Sequence, residues 1–289
     1  FEGTFGAGFI SLGQGNDQAT FNATLSGTTI LGTENADTLS FSASTNTVVF
    51  GSEIWTAAQV SFGSGTDMAT FTGAISAGSI YGGGGADTLA FLGAVTSGAT
   101  IDQGTGNDSV FFGTASELTG TTLTGSGADT FNLQGANTAV FGALSTAGSQ
   151  VSFGANADKA TFTGAIGDAV SIYGGGGADT FDFDGSIGAA TFDAGAGADS
   201  FHFAAAIGAA SIDAGADADT LTFTAAVSGA TLSGLESTGD VASFSAQSSA
   251  LFNVIGAGAQ VSFGGGADAG TFTGAIGDAA LIFGGGDAD

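Results

Sequence analysis

Tyr173–Phe183 reads YGGGGADTFDF, and its three parts decide the fold. Gly174–Gly177 lack Cβ atoms and are free to take positive φ. Asp179 closes that turn with a carboxylate. Phe181 and Phe183 alternate with Thr180 and Asp182, the period of two that marks a strand with one buried face. A glycine turn, an acid and a short aromatic strand make one corner of a coil.

Aligned on the acid, the corner returns at Asp17, Asp37, Asp67, Asp87, Asp108, Asp129, Asp158, Asp179, Asp199, Asp219, Asp240, Asp268 and Asp289. Nine of the twelve gaps are 20 or 21 residues, a fixed period that marks a stacked-repeat architecture. Four residues after the acid stands Phe in most coils (Phe21, Phe71, Phe112, Phe183, Phe223), and an aliphatic residue often follows four further on (Leu25, Ile75, Ile187, Val227). Stacked coil on coil, these columns predict a continuous apolar ladder. The expected fold is all-β: a parallel β-solenoid of the β-roll kind, with about 20 residues and two strands per coil and roughly 14 coils. With no linker or break in composition, one continuous solenoid over residues 1–289 is expected. Helix is disfavoured by the abundance of Gly, Thr and Ser and by the absence of a helical period.

Passages beginning FISLG near 9 and QVSFG near 59, 150 and 260 open larger duplicated units. The three long gaps, of 30, 29 and 28 residues, fall where TVVFGSEIWTAAQ, TAVFGALSTAGSQ and SALFNVIGAGAQ precede QVSFG. Each adds about half a coil, and Val49, Phe50, Val140, Phe141, Leu251 and Phe252 give the additions matching apolar places. Half-coil additions predict that the acid column changes edges at each one. Asp17 and Asp37 then share one edge, Asp67 to Asp129 the other, Asp158 to Asp240 the first again, and Asp268 and Asp289 the second.

The chain holds 289 residues with 27 acids, one Lys and no Arg, for a formal charge of −26. Nucleic acid is an improbable partner, because there is almost no basic residue to neutralise phosphate. Disorder, the usual implication of such charge, conflicts with 43% hydrophobic residues and Phe in register. No apolar run is long enough to span a membrane, and no signal peptide is visible in the sequence. The absence of Cys permits life outside the cell without disulfides.

Two positions before the acid, Gly, Asn or Asp stands in nearly every copy, which specifies a backbone conformation rather than a loose linker. Such a turn is expected to aim carbonyl oxygens inward while the acid supplies a carboxylate, the hard oxygen set that Ca²⁺ takes. Zinc, copper and iron are poorly served, since there is no Cys and His202 is the single His. Along one edge, equivalent carboxylates about 4.8 Å apart would repel by roughly 3–4 kcal/mol per pair, which divalent cations would reverse. The expected metal residues are all thirteen repeat acids, with Asp37 and Asp240 doubtful for lack of glycines. Asp102, Asp193 and Asp213, just ahead of the glycine turn, are possible further ligands.

GQGND, GSGTD, GGGGADTL, GTGND, GSGAD, GGGGADTF and GAGAD resemble the haemolysin-type (RTX) calcium-binding nonapeptide, GGxGxDxUx, over residues 13–289. The resemblance implies a calcium-loaded right-handed β-roll. The chain departs from it in having one acidic turn per coil and a coil of about 20 residues. The expected function is structural and not enzymatic: an extracellular filament, surface layer or matrix built by head-to-tail self-association, with no small-molecule substrate. The alternatives are an adhesin or surface-binding rod, or the repeat region of a larger secreted enzyme or toxin. The Phe ladder is expected to be core, His202 and Lys159 solvent-facing, Asp182 and Asp184 solvating, and Trp55 packing within its half-coil.

Overall fold

The computed structural model describes residues 1–33, 35–55, 57–96, 98–114, 118 and 120–286, and the chain divides into two compact units, Phe1–Gly142 and Ala143–Asp289. Each unit is a parallel β-solenoid with two sheets facing each other across a Phe-rich core, and no helix occurs among the described residues.

In Phe1–Gly142 the first sheet runs Gly8–Ser11, Ser26–Leu31, Thr47–Phe50, Met68–Phe71, Thr88–Phe91, Ser109–Phe112, Thr130–Leu133. The second runs Gln18–Phe21, Thr38–Phe41, Gln59–Ser61, Ser79–Tyr81, Thr100–Thr105, Thr121–Ser126, Thr138–Phe141. In Ala143–Asp289 one sheet runs Gln150–Ser152, Ser171–Tyr173, Thr191–Asp193, Ser211–Asp213, Val227–Ser233, Ser248–Phe252, Ala269–Phe272. Its companion runs Lys159–Phe162, Thr180–Phe183, Ser200–Phe203, Thr220–Phe223, Val241–Phe244, Gln260–Ser262, Leu281–Phe283. Register steps by one coil: Met68 pairs with Thr88, and Thr88 with Ser109. In most strands the inward residues are the apolar ones that the alternation predicts, such as Phe181 and Phe183, whereas Phe9 and Leu281–Phe283 in the end strands are exposed.

The edge change is present inside both units. Asp17 and Asp37 lie where the chain leaves the first sheet for the second, whereas Asp67, Asp87, Asp108 and Asp129 lie where it leaves the second for the first. In Ala143–Asp289, Asp158 through Asp240 precede strands of the Lys159–Phe162 sheet, and Asp268 precedes Ala269–Phe272 of the other. The additions are therefore not loops: Thr47–Phe50 and Ser248–Phe252 are ordinary strands of their sheets.

This phase change corrects the single Phe ladder. Phe21, Phe41 and Phe62 stack at 4.9 and 4.8 Å on the second sheet, and Phe50, Phe71, Phe91 and Phe112 stack at 4.6–5.0 Å on the first. Phe41 and Phe50 meet edge to face at 6.2 Å, so the two columns interlock where the acids change sides. Phe244, Phe252 and Phe263 repeat the device in the second unit. Offset and edge-to-face contacts of this kind add about 0.5–1.5 kcal/mol each beyond area burial. A third column of aliphatic single bridges, Ile166 to Ile187 to Ile207 to Val227, lines the non-acidic turn.

Candidate functional site

The glycine turn brings the chain round so tightly that side chains have no room. A Cβ on Gly85 would lie 2.1 Å from the Gly65 carbonyl oxygen, and φ there is +118°. Turn backbones of neighbouring coils also bond to each other: Gly84 N donates to Gly63 O and Thr105 N to Gly83 O, each at 2.8 Å. Those carbonyls are therefore committed to holding coils together, which narrows the inward-facing oxygen set expected from the sequence.

The acids do not form a solvated ridge. Asp37, Asp67, Asp87, Asp108, Asp129, Asp158, Asp179, Asp199, Asp219, Asp240 and Asp268 are buried, and Asp17 is half-buried. Each column is a hydrogen-bonded zipper. Asp158 N donates to Asp179 Oδ1, Asp179 N to Asp199 Oδ1, Asp199 N to Asp219 Oδ1 and Asp219 N to Asp240 Oδ1, all at 2.7–2.9 Å. Asp67, Asp87, Asp108 and Asp129 are linked likewise at 2.7–3.1 Å, and Asp17 N donates to Asp37 Oδ1. At this corner a carboxylate oxygen does the work that a strand carbonyl does elsewhere.

Uncharged residues begin the new columns after an edge change. Asn46 donates its N–H and its Nδ2 to Asp67 Oδ1, and its own Oδ1 accepts from Leu25 N. Ser248 N donates to Asp268 Oδ1 at 2.6 Å. Sequence inspection missed both; the signal was a polar residue directly before or at the start of each added strand.

One oxygen satisfied leaves one to account for. The Oδ2 atoms of Asp17, Asp37, Asp67, Asp87, Asp108, Asp179, Asp199 and Asp219 are buried with no hydrogen-bond partner. Asp240 differs, because its Oδ2 accepts from Ser237 N at 2.7 Å. Burial, reinforced by carboxylates one coil away, pushes Asp87, Asp179 and Asp219 up to about 7. Burial, with smaller contributions from neighbouring acids, takes Asp129 and Asp199 up to about 6. It also raises Asp67, Asp108 and Asp240. A column of this kind demands either protons or positive charge.

The donor chemistry suits a hard cation: carboxylate oxygens lacking partners, and backbone oxygens crowded at the same turn. The Cβ position of Gly174, for example, lies 2.2 Å from Ala194 O and 3.0 Å from Asp179 Oδ2. Among the described residues no three His, Cys, Asp or Glu side chains converge on one metal position. A bound ion would therefore depend on one or two carboxylates supplemented by backbone oxygens.

Asp102, Asp193 and Asp213 stand on outward strand positions, separate from the buried columns. Asp193 and Asp213 are in register, and burial together with the Asp213 charge raises Asp193. Asp102 Oδ1 and Asp213 Oδ1 accept from Gly104 N and Gly215 N, closing local turns. Asp289 lies outside the described residues. Asp182 is not merely solvating, since its Oδ1 lies 3.5 Å from Nδ1 of the half-exposed His202. Lys159 is exposed as expected. Gln103, next to Asp102, is fully buried with neither Oε1 nor Nε2 bonded, a feature that no sequence signal announced.

Compared with family models, with curated proteins and with solved structures, the chain matches none of them. Among the described residues no helix is long and apolar enough to cross a membrane.

Proposed function

We propose that the protein is a calcium-stabilised structural repeat protein of the haemolysin-type kind, working outside the cell in a filament, surface layer or matrix. The observation that carries this is the row of buried, unpartnered Oδ2 atoms on Asp67, Asp87 and Asp108 and on Asp179, Asp199 and Asp219. Asp17 and Asp37 share this feature, and the chain has one Lys and no Arg, so protein cations cannot compensate these acids. The residues that would hold calcium are Asp17, Asp37, Asp67, Asp87, Asp108, Asp129, Asp158, Asp179, Asp199, Asp219 and Asp268, with turn carbonyls. Asp240, whose second oxygen is already bonded, closes its column without an ion. Calcium supplies the positive charge that lets the columns ionise without repulsion; the chain supplies fixed oxygens and the Asp zipper.

Self-association belongs to the same proposal. Parallel pairing of one coil on the next holds each unit together, and the same pairing between copies gives an open, fibre-forming contact. A surface-binding rod is the rival reading, and one observation favours it. Ser171, Thr191, Ser211 and Thr231 stand in register on one outer face, a row of four hydroxyls.

Circular dichroism melts at neutral pH, with calcium, with magnesium and with chelator, test the proposal. Calcium is expected to raise the melting temperature well above that in chelator, and magnesium, which demands near-octahedral geometry, much less. Identical melts in calcium and chelator refute it.

A further inference from the structure

Trp55, the chain's one tryptophan, lies half-exposed in the added half-coil that follows Thr47–Phe50. It lines a cleft of about 750 Å³ with Ser11, Gln14, Leu31, Asn35 and Ser52, a size typical of ligand sites. The indole is held rather than loose. Its Nε1 donates to Glu53 Oε2 at 2.7 Å, and Ala58 N bonds back to Trp55 O at 3.0 Å across a turn with Ala57 at φ 68°. The wall is tied to the preceding coil as well: Gly32 N donates to Ser52 Oγ and Thr33 Oγ1 to the Glu53 carbonyl.

The repeat itself does not require these residues. Ile54, Leu144 and Ile255 occupy the same bridging place in the three added half-coils, pairing with Ile75, Ile166 and Ile276. Aligned on them, Ser145 and Gly256 stand where Trp55 does, and Ala143 and Val254 where Glu53 does. Gln14 likewise takes a turn position that is Gly84, Gly176, Ala196 and Ala216 in other coils. The solenoid is thus built elsewhere without the aromatic, the acid or the amide; here Trp55 and Gln14 line one cleft, and Glu53 holds the indole.

The lining selects a class of ligand. Among the described residues it holds no cation, which disfavours phosphate, sulfate and carboxylate groups. The carboxylate of Glu53, two residues before Trp55, is engaged with the indole. An aromatic face, an aliphatic side chain, two amides and two hydroxyls remain, a set that offers an apolar platform ringed by neutral donors and acceptors. A pyranose ring has the complementary shape, with one apolar face and a rim of hydroxyls. We propose that the cleft is a saccharide-binding site taking a pyranose unit of a neutral polysaccharide, its apolar face on Trp55 and its hydroxyls on Gln14, Asn35, Ser11 and Ser52.

The single tryptophan makes emission a direct report on the cleft. The intact chain in calcium buffer is titrated with cellohexaose, maltohexaose, mannohexaose and chitohexaose. At least one is expected to shift and saturate the emission, with a Kd of about 10 μM to 1 mM. Calorimetry with that sugar should show binding lost in Trp55→Ala and weakened at least about fivefold in Gln14→Ala and Asn35→Ala, with unchanged circular dichroism. If Trp55→Ala does not fold, Trp55→Phe and Gln14→Ala carry the test. No response to any of the four sugars up to about 10 mM, or binding unaffected by these substitutions, overturns the proposal. Loss of calcium dependence leaves it standing, since the two readings rest on different residues.

Discussion

Replacing Asp179 with Asn separates the two jobs of the acid column. Asp179 Oδ1 accepts from Asp158 N at 2.7 Å, and an amide oxygen can do the same. Its Oδ2 is buried and bonded to nothing, and the carboxyl is pushed from its ordinary 3.8 up to about 7 by burial and by Asp199 and Asp158. A folded-state value above the unfolded one means that the folded chain holds this proton longer. Without divalent ions, stability is therefore full below about pH 4, falls as pH rises, and levels off above about pH 7, a total loss of about 4 kcal/mol from this residue. Asn escapes that loss but places an unpartnered Nδ2 where Oδ2 was, costing about 2 kcal/mol at every pH. At pH 8 in chelator, Asp179→Asn should be more stable than the parent by about 2 kcal/mol, roughly 6 °C in melting temperature. At pH 4 the sign reverses, and in saturating calcium at pH 8 the variant is again the weaker. Melts followed by far-UV circular dichroism across pH give all three comparisons. A variant that is equally destabilised at pH 4 and pH 8 in chelator would show that no charge penalty resides at this carboxyl.

Gly85→Ala, which drives a Cβ to 2.1 Å from Gly65 O, is expected to cost at least about 3 kcal/mol, while Gly120→Ala, at φ +65° with nothing within 4 Å among the described residues, costs only about 1 kcal/mol; urea titration distinguishes them. Phe203→Ala removes a buried ring stacked at 4.9 Å on Phe183 and 4.8 Å on Phe223, with an expected loss of about 3–5 kcal/mol read from the same titration. Gln103→Leu replaces two buried unbonded polar atoms with hydrocarbon and should raise the melting temperature, by about 1–3 kcal/mol in stability; a lower melting temperature would mean that the amide has a partner in solution.

Much of the fold was legible because a solenoid is locally determined. A recurrence of 20 or 21 residues sets one coil, alternation about Phe183 sets which side faces in, and counting half-coils places Asp37 and Asp67 on opposite edges. Half-coil additions such as TVVFGSEIW revealed themselves as strands by apolar pairs such as Val49 and Phe50, although the inward period runs through Val48 and Phe50 and leaves Val49 only half-buried. The column of acids was equally plain as a column.

The direction of the carboxylates was not. Whether Asp179 faces water or the interior depends on an amide 21 residues away, Asp158 N, which donates to the side-chain oxygen Oδ1. The same bonding recruits the amides of Asn46 and Ser248 to begin columns. The unbonded Gln103 side chain and the pairing of Asp182 with His202 are likewise set between coils rather than within one. Trp55 gains its cleft from turns at Gln14 and Asn35 that sequence separates from it by two coils and one coil, respectively. Period and alternation are properties of single coils, so the chain carries them in its own order; hydrogen-bond satisfaction along the stack exists only between coils, and folding alone assigns it.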